Sequence, residues 1–139
     1  MKGIHLQDTL EVKASDIPHA GQGLFAKKAI RANTVIGNYL GKKMKSQEYQ
    51  KLEIKAYVWG LSSGKYVDGF DLKKSNLLRF ANDCYTAPEK NNLEALERDD
   101  KIYYVTKRDI FPGEELLIGY GERYWSNSKY LLEEINNGI

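Results

Sequence analysis

The sequence predicts an α+β domain that is predominantly β, built from short antiparallel strands. Three observations carry the prediction. Its apolar runs have strand length and often alternate with polar residues. Twelve glycines, with turn sequences such as Ser62-Ser63-Gly64-Lys65, Asp68-Gly69 and Pro112-Gly113, punctuate those runs. Ten tyrosines and two tryptophans enrich the chain in β-forming aromatics.

Taken in order, Leu10-Glu11-Val12-Lys13 alternates as a half-buried strand does. Residues 15–26 read as a loop, in which Gly21 and Gly23 expose main-chain groups with no Cβ in the way. Such a loop either receives a flat or polar ligand or is simply a turn. It lacks the third glycine and following helix of a dinucleotide fingerprint, which argues against a Rossmann site. His19 reads as a surface residue. Polar residues 27–33 carry the chain around, with Asn33 as a turn former, and 35–40 resume strand character. Residues 46–56 read as a helix capped by Ser46, with Tyr49, Leu52 and Ala56 on one face. Residues 57–61 and 66–67 flank a hairpin turn.

Within 75–85, Leu77, Leu78 and Phe80 are expected in the core and Arg79 at the surface in a salt bridge. Asn82 is either a turn residue or an amide whose donors and acceptors all need partners. Residues 85–92 read as a polar loop. Strands follow at 93–96 and 102–106, joined by a charged turn over 97–101. After Pro112-Gly113, residues 116–118 form a short buried strand. Gly119-Tyr120-Gly121, with Tyr124 and Trp125 beyond, reads in two ways. It is an aromatic core plug, or a place where backbone, phenol hydroxyl and ligand approach closely. Ser126 or Ser128 starts a final helix that ends at Asn136-Asn137-Gly138.

Composition sets the limits. A chain of 139 residues is sized for one domain, with 42% hydrophobic and 29% charged residues in the globular range. A net charge of +2 gives no electrostatic case for direct nucleic-acid binding. No run approaches a membrane span, and residues 1–10 lack the pattern of a signal peptide. The single cysteine, Cys84, leaves no internal disulfide and no multi-cysteine zinc site. An intracellular, soluble protein without a structural metal is the expectation.

Three phrases recur in a fixed order: Gly21-Gln22-Gly23-Leu24-Phe25-Ala26, then Arg79-Phe80-Ala81-Asn82, then Gly113-Glu114-Glu115-Leu116 with Tyr120-Gly121. Over about residues 10–125 they resemble the SET domain of protein lysine methyltransferases, and most of all its PR/SET subgroup. Tyr66-Val67-Asp68-Gly69, Asn92-Leu93-Glu94-Ala95 and Ile102-Tyr103-Tyr104 are similar to phrases of that subgroup. The ending Gly121 to Trp125 is similar to small stand-alone viral SET proteins.

The resemblance implies a SET fold: β-clip-like small antiparallel sheets with a C-terminal pseudoknot. It implies one domain over 1–139, with its core at about 10–125 and a helical tail at 126–139. The implied activity is S-adenosyl-L-methionine-dependent methyl transfer to a lysine of a protein or peptide, with a histone tail as a candidate substrate. The alternative is a catalytically weak or inactive SET-like module that binds a peptide or protein. By the resemblance, the cofactor lies against Ala20, Gly21, Gln22, Gly23 and Leu24. Tyr57, Asn82 and Asp83 also contact it, Trp125 covers its adenine, and no metal takes part. Tyr120 is the implied catalytic tyrosine. A nuclear or chromatin-associated location follows from the histone substrate, and no membrane contact is implied.

The chain also departs from the pattern. Asn82-Asp83-Cys84 stands where the usual phrase is Asn-His-Ser, and Ile118 stands where many members have tyrosine. Cysteine-rich flanking clusters are missing, so the helix at 128–136 or a second subunit, in a homodimer, must close the lysine channel. The chemistry needs alignment and a neutral amine. Free lysine has a pKa of about 10.4, which burial and a nearby positive charge both lower. Tyr120, at about 10 when unperturbed, suits positioning and polarisation better than general-base work.

Overall fold

The computed structural model describes residues 6–123. In chain order the strands are β1 (Leu10–Ala14), β2 (Gln22–Ala26), β3 (Val35–Asn38), β4 (Lys42–Met44) and β5 (Val58–Gly60). Then follow β6 (Tyr66–Asp68), β7 (Leu93–Arg98), β8 (Lys101–Thr106), β9 (Glu115–Leu116) and β10 (Ile118–Arg123). Two short helices, α1 (Leu6–Thr9) and α2 (Ser46–Gln50), complete the regular α structure among the described residues.

The strands form three small sheets, ordered β1-β2-β9, β10-β7-β8-β3 and β4-β6-β5. In the first, β2 is central and antiparallel to both neighbours, so all of it but Gln22 is buried. Residues 22–26 are therefore strand, where the sequence suggested loop: Leu24 and Phe25 pair with Leu116 and Glu115, and sheet pairing satisfies main chain that a loop would leave to ligand or water. The second sheet contains the β7–β8 hairpin. Its turn is narrower than expected, because Asp99 and Asp100 both take positive φ and close it in two residues. In the third, Leu61 N–H donates to the Lys65 carbonyl at 2.8 Å and Gly64 takes φ +89°, the turn expected between β5 and β6. Its outer strand β4 carries two lysines and one buried methionine, too little pattern to announce itself.

Other expectations change as well. The helix over 46–56 shrinks to α2, which buries no residue and starts after Lys45. Tyr49 stacks on Tyr66 at 4.0 Å, and one such contact cannot offset helix nucleation over three turns. Leu77–Phe80 is a 3-10 turn in which Leu78 is fully buried, while Leu77 and Phe80 pack at the edge of the core. Gly119 and Gly121 lie inside β10 rather than ending a strand. The final helix falls outside the described residues.

Two buried polar side chains bind the sheets where strand pairing is interrupted. Leu117, between β9 and β10, donates its N–H to the Asn92 side-chain oxygen at 2.8 Å, and its carbonyl accepts from Asn92 N–H at 2.9 Å. The Asn92 amide nitrogen donates to the Glu115 carbonyl at 2.9 Å and the Glu114 carboxylate at 3.1 Å. Asn92, 1% exposed, thus replaces a missing length of strand, and the end of the expected polar loop is core. Glu115 does the same for residues 15–23. Its carboxylate accepts from Ser15 Oγ at 2.7 Å and Asp16 N–H at 2.8 Å, a hundred residues away in sequence.

That anchor separates the roles of the two glycines. A Cβ on Gly23 would lie 2.4 Å from Glu115 Oε2, whereas one on Gly21 would meet nothing within 4 Å. Gly21 is required by its φ of +73° alone. Gly23→Ala should therefore lower stability by about 2 kcal/mol through overpacking, and Gly21→Ala by about 1 kcal/mol through left-handed strain. Equal losses in urea denaturation would contradict this division. Asn92→Ala should cost about 3 kcal/mol, since it strands buried donors and acceptors around Leu117; a loss below about 1 kcal/mol would show that the bridge does not hold β9 to β10.

Candidate active site

Residues 81–83 lie alongside 117–120 and are tied to them by hydrogen bonds. Asn82 and Leu117 form a parallel bridge, and Ile118 N–H donates to the Asn82 carbonyl at 2.8 Å. The Asp83 carboxylate accepts from Tyr120 N–H at 3.1 Å. The Tyr120 hydroxyl donates to the Ala81 carbonyl at 2.5 Å. Both ends of Tyr120 are therefore held by one short run, in the region where the resemblance places the pseudoknot.

Tyr120 borders a pocket of about 220 Å³, whose other walls include Tyr39, Tyr57, Trp59, Arg79 and Tyr104. The rings meet edge to face or stacked: Trp59 lies 5.8 Å from Tyr120, 6.0 Å from Tyr104 and 6.4 Å from Tyr39, and Tyr39 stacks on Tyr104 at 5.5 Å. Such contacts are the favourable geometries for aromatic quadrupoles. The polar atoms are matched. Trp59 Nε1 donates to the Tyr104 hydroxyl at 2.8 Å, and the Tyr39 hydroxyl donates to the Tyr57 carbonyl at 2.7 Å.

Burial dominates the acid–base character of this pocket. It pushes the Tyr39 and Tyr104 phenols well above their ordinary range. Burial, then the Asp83 charge, then Tyr57, push Tyr120 up to about 12. The Tyr120 residue is 45% exposed even so, while its hydroxyl is engaged by the Ala81 carbonyl. Its phenol is protonated at neutral pH and serves as a donor.

Arg79 is not the surface ion-pair residue that the sequence suggested. Its guanidinium donates to the Gly69 carbonyl at 2.7 Å and the Phe70 carbonyl at 3.2 Å, and sits 4.2 Å from the Tyr57 ring centroid. A planar cation satisfies two main-chain carbonyls and two aromatic faces here, the second being Phe80 at 4.8 Å.

The residues expected to hold a cofactor divide into groups. Gly21 and Gln22 are exposed and Ala20 is half-buried, while Gly23 and Leu24 lie inside the first sheet. Asn82 joins this edge, its amide donating to the Gln22 carbonyl at 2.8 Å. The side chain of Asp83 is directed internally, to Asn91 Nδ2 at 3.0 Å and to Tyr120. Tyr57 faces the aromatic pocket with Tyr120. Trp125 lies outside the described residues. A second cavity of about 360 Å³ opens between Asp16, Ile17 and Pro18 on one side and Cys84, Thr86 and Lys90 on the other, and none of Ala20 to Leu24 lines it.

Sequence reasoning named Tyr57 and Tyr120 but missed Tyr39, Trp59, Tyr104 and the inward turn of Arg79. Tyr104 stands in a strand-like run over 102–106, but that run does not alternate apolar with polar residues, so no period in it marks which ring faces the core. Nothing local shows that rings from two sheets and the segments between them meet around one space.

A profile for the PR domain of PR domain zinc finger protein 2 matches residues 10–131. Among curated proteins, the chain is 34% identical over 117 residues to histone-lysine N-methyltransferase set-17 of Caenorhabditis elegans, covering 81% of this chain and 41% of that protein. It is 32% identical over 126 residues to histone-lysine N-methyltransferase PRDM7 of Homo sapiens, covering 87% of this chain and 25% of that protein. The chain thus spans less than half the length of either relative. Among solved structures, the SET domain of the RIZ1 tumor suppressor (PRDM2) superposes with TM-score 0.71 at 28% identity, covering 96% of this chain and 85% of the other. The methyltransferase domain of human PR domain-containing protein 2 gives 0.68 at 31% identity, covering 81% and 76%. With its three small sheets and its tie between residues 81–83 and 117–120, the chain belongs to the PR domain family and has the SET fold.

Proposed function

We propose that this chain is a protein lysine N-methyltransferase domain that uses S-adenosyl-L-methionine, with residues 1–139 as one domain. The observation that carries the reading is the aromatic pocket ending at Tyr120, whose main chain is tied to the edge formed by Gln22, Asn82 and Asp83. The names of its relatives support histone-lysine as the substrate class, and with it a nuclear site of action. No described helix is long and apolar enough to cross a membrane.

S-adenosyl-L-methionine, when bound, supplies an electrophilic methyl group on a sulfonium. The exposed main chain of Ala20, Gly21 and Gln22, beside Asn82 and the main chain of Asp83, fits its amino-acid and base groups, because no Cβ at Gly21 covers that face. Gly23 and Leu24 support this edge from inside, and Trp125 keeps its proposed role over the adenine.

On the other side, the pocket receives the lysine side chain. Its aromatic walls desolvate the ammonium and so lower its pKa from about 10.4. Arg79 adds a fixed positive charge to the same wall, which acts in the same direction. Tyr120, protonated, orients the amine and polarises its surroundings rather than taking its proton. The substrate peptide lies extended beside β5, whose Val58 and Trp59 line the pocket.

The rival reading, a SET-like module that binds without turnover, draws on Asp83 in place of the usual histidine and on the Tyr120 hydroxyl being engaged by Ala81. Cofactor at 100 times its Kd should raise stability by about 2.7 kcal/mol. Labelled cofactor with a histone and proteome panel should show transfer to lysine. Tyr120→Phe should lower kcat on the order of 10²-fold without weakening cofactor binding. Cofactor binding without any transfer would favour the rival; no thermal shift at millimolar cofactor would remove the cofactor reading.

Alkaline pH offers a check on the pocket itself. Tyr120 titrates at about 12 in the folded chain and at about 10 when unfolded, so the unfolded state loses its proton first. Stability should then be full below pH ~10 and fall as the pH rises towards 12. Tyr120→Phe should reduce that fall, and an unchanged profile would place the hydroxyl in water.

A further inference from the structure

Pairing between β7 and β10 holds at Ile118 with Leu93 and at Arg123 with Ala95, and the register breaks between them. The main chain at Tyr120 therefore needs another support, and the flanking Gly119 and Gly121 have no side chains to provide it. Asp83 provides one. Its Oδ2 accepts from Tyr120 N–H at 3.1 Å, and its Oδ1 accepts from Asn91 Nδ2 at 3.0 Å. Asn91 is 4% exposed and is itself fixed, its Oδ1 accepting from Cys84 N–H at 3.0 Å. Main chain at Cys84, the Asn91 amide, the Asp83 carboxylate and the Tyr120 main chain thus form one continuous relay. Each side-chain oxygen and nitrogen in it has a hydrogen-bond partner.

We propose that Asp83, oriented by Asn91, is the positioning residue for Tyr120: it sets the main chain of the catalytic tyrosine through its side chain. This assignment rests on the reading of Tyr120 as catalytic, and it replaces a cofactor role for the Asp83 carboxylate. It has an electrostatic corollary. The Asp83 charge works with burial to keep the Tyr120 phenol protonated. The other ionisable groups on the pocket walls are Tyr39, Lys55, Tyr57, Arg79 and Tyr104, and they are unchanged by substitution at 83.

The test uses the full chain and two readouts. By NMR, with the Tyr120 signals assigned through Tyr120→Phe, Asp83→Ala should move the Tyr120 amide proton upfield. It should also lower the phenol midpoint from about 12. Asp83→Asn keeps the volume and can still accept from the amide, so it should lower the midpoint while shifting the amide less. It also serves if the alanine variant does not fold. By kinetics, Asp83→Ala should lower kcat by about 10- to 100-fold, the range expected for a displaced catalytic group, with cofactor Kd and substrate KM unchanged. An unmoved amide and midpoint would overturn the proposal, as would a weakened cofactor Kd with kcat intact. If the wild type transfers no methyl group while both NMR signals respond as expected, the methyltransferase reading fails and the Asp83–Tyr120 coupling stands.

Discussion

The tie between residues 81–83 and 117–120 is the constraint on which the rest of this structure depends. It joins two segments nearly forty residues apart in sequence through one bridge and three hydrogen bonds, at Asn82, Asp83 and Ala81. Closing so long a loop costs entropy, and each neutral hydrogen bond returns only about 1 kcal/mol net. The tie therefore relies on the apolar residues around it. Leu78, Leu116 and Ile118 are fully buried beside it and supply the larger stabilisation.

Short sheets leave many strand ends, and this fold closes them with buried polar side chains. Asn92 spans the gap between β9 and β10, Glu115 ties the loop at 15–17 to the first sheet, and Asn91 fixes Asp83. A buried polar group is costly unless it is hydrogen-bonded, and these have partners at most of their donors and acceptors. The same feature makes them specific. Shifting any strand by one residue would leave several such groups unpaired at once.

The aromatic pocket follows from the same arrangement. Two of the three sheets and a connecting segment contribute rings: Trp59 from β5, Tyr104 from β8, Tyr120 from β10 and Tyr39 after β3. Their mutual burial raises the phenol pKa values and removes Tyr120 from consideration as a base near neutrality. A desolvated cavity with an adjacent guanidinium disfavours a second positive charge. That is the property a site needs if it is to receive a lysine as the neutral amine.

Much of the fold was legible in the sequence because it depends on local chemistry. Alternation marked β1, a run of β-forming residues marked β8, and turn residues marked the β5–β6 and β7–β8 hairpins and the Pro112-Gly113 turn. Three spaced motifs, none decisive alone, sufficed for the family. Tyr120 could be named because it stands within one of those motifs, and Tyr57 because the resemblance implied a contact there. Beyond that, local reasoning misled: Arg79 turned inward, residues 46–56 formed little helix, and Gly23 proved to serve packing against Glu115. The sequence by itself determined most of the strands, the main turns and the family, but not β2 or β4. Only the tertiary structure decided which polar side chains replace missing strand pairing, which rings share one pocket, and that Asp83 faces Tyr120. Those outcomes depend on contacts between residues tens of positions apart, and no local period or propensity encodes them.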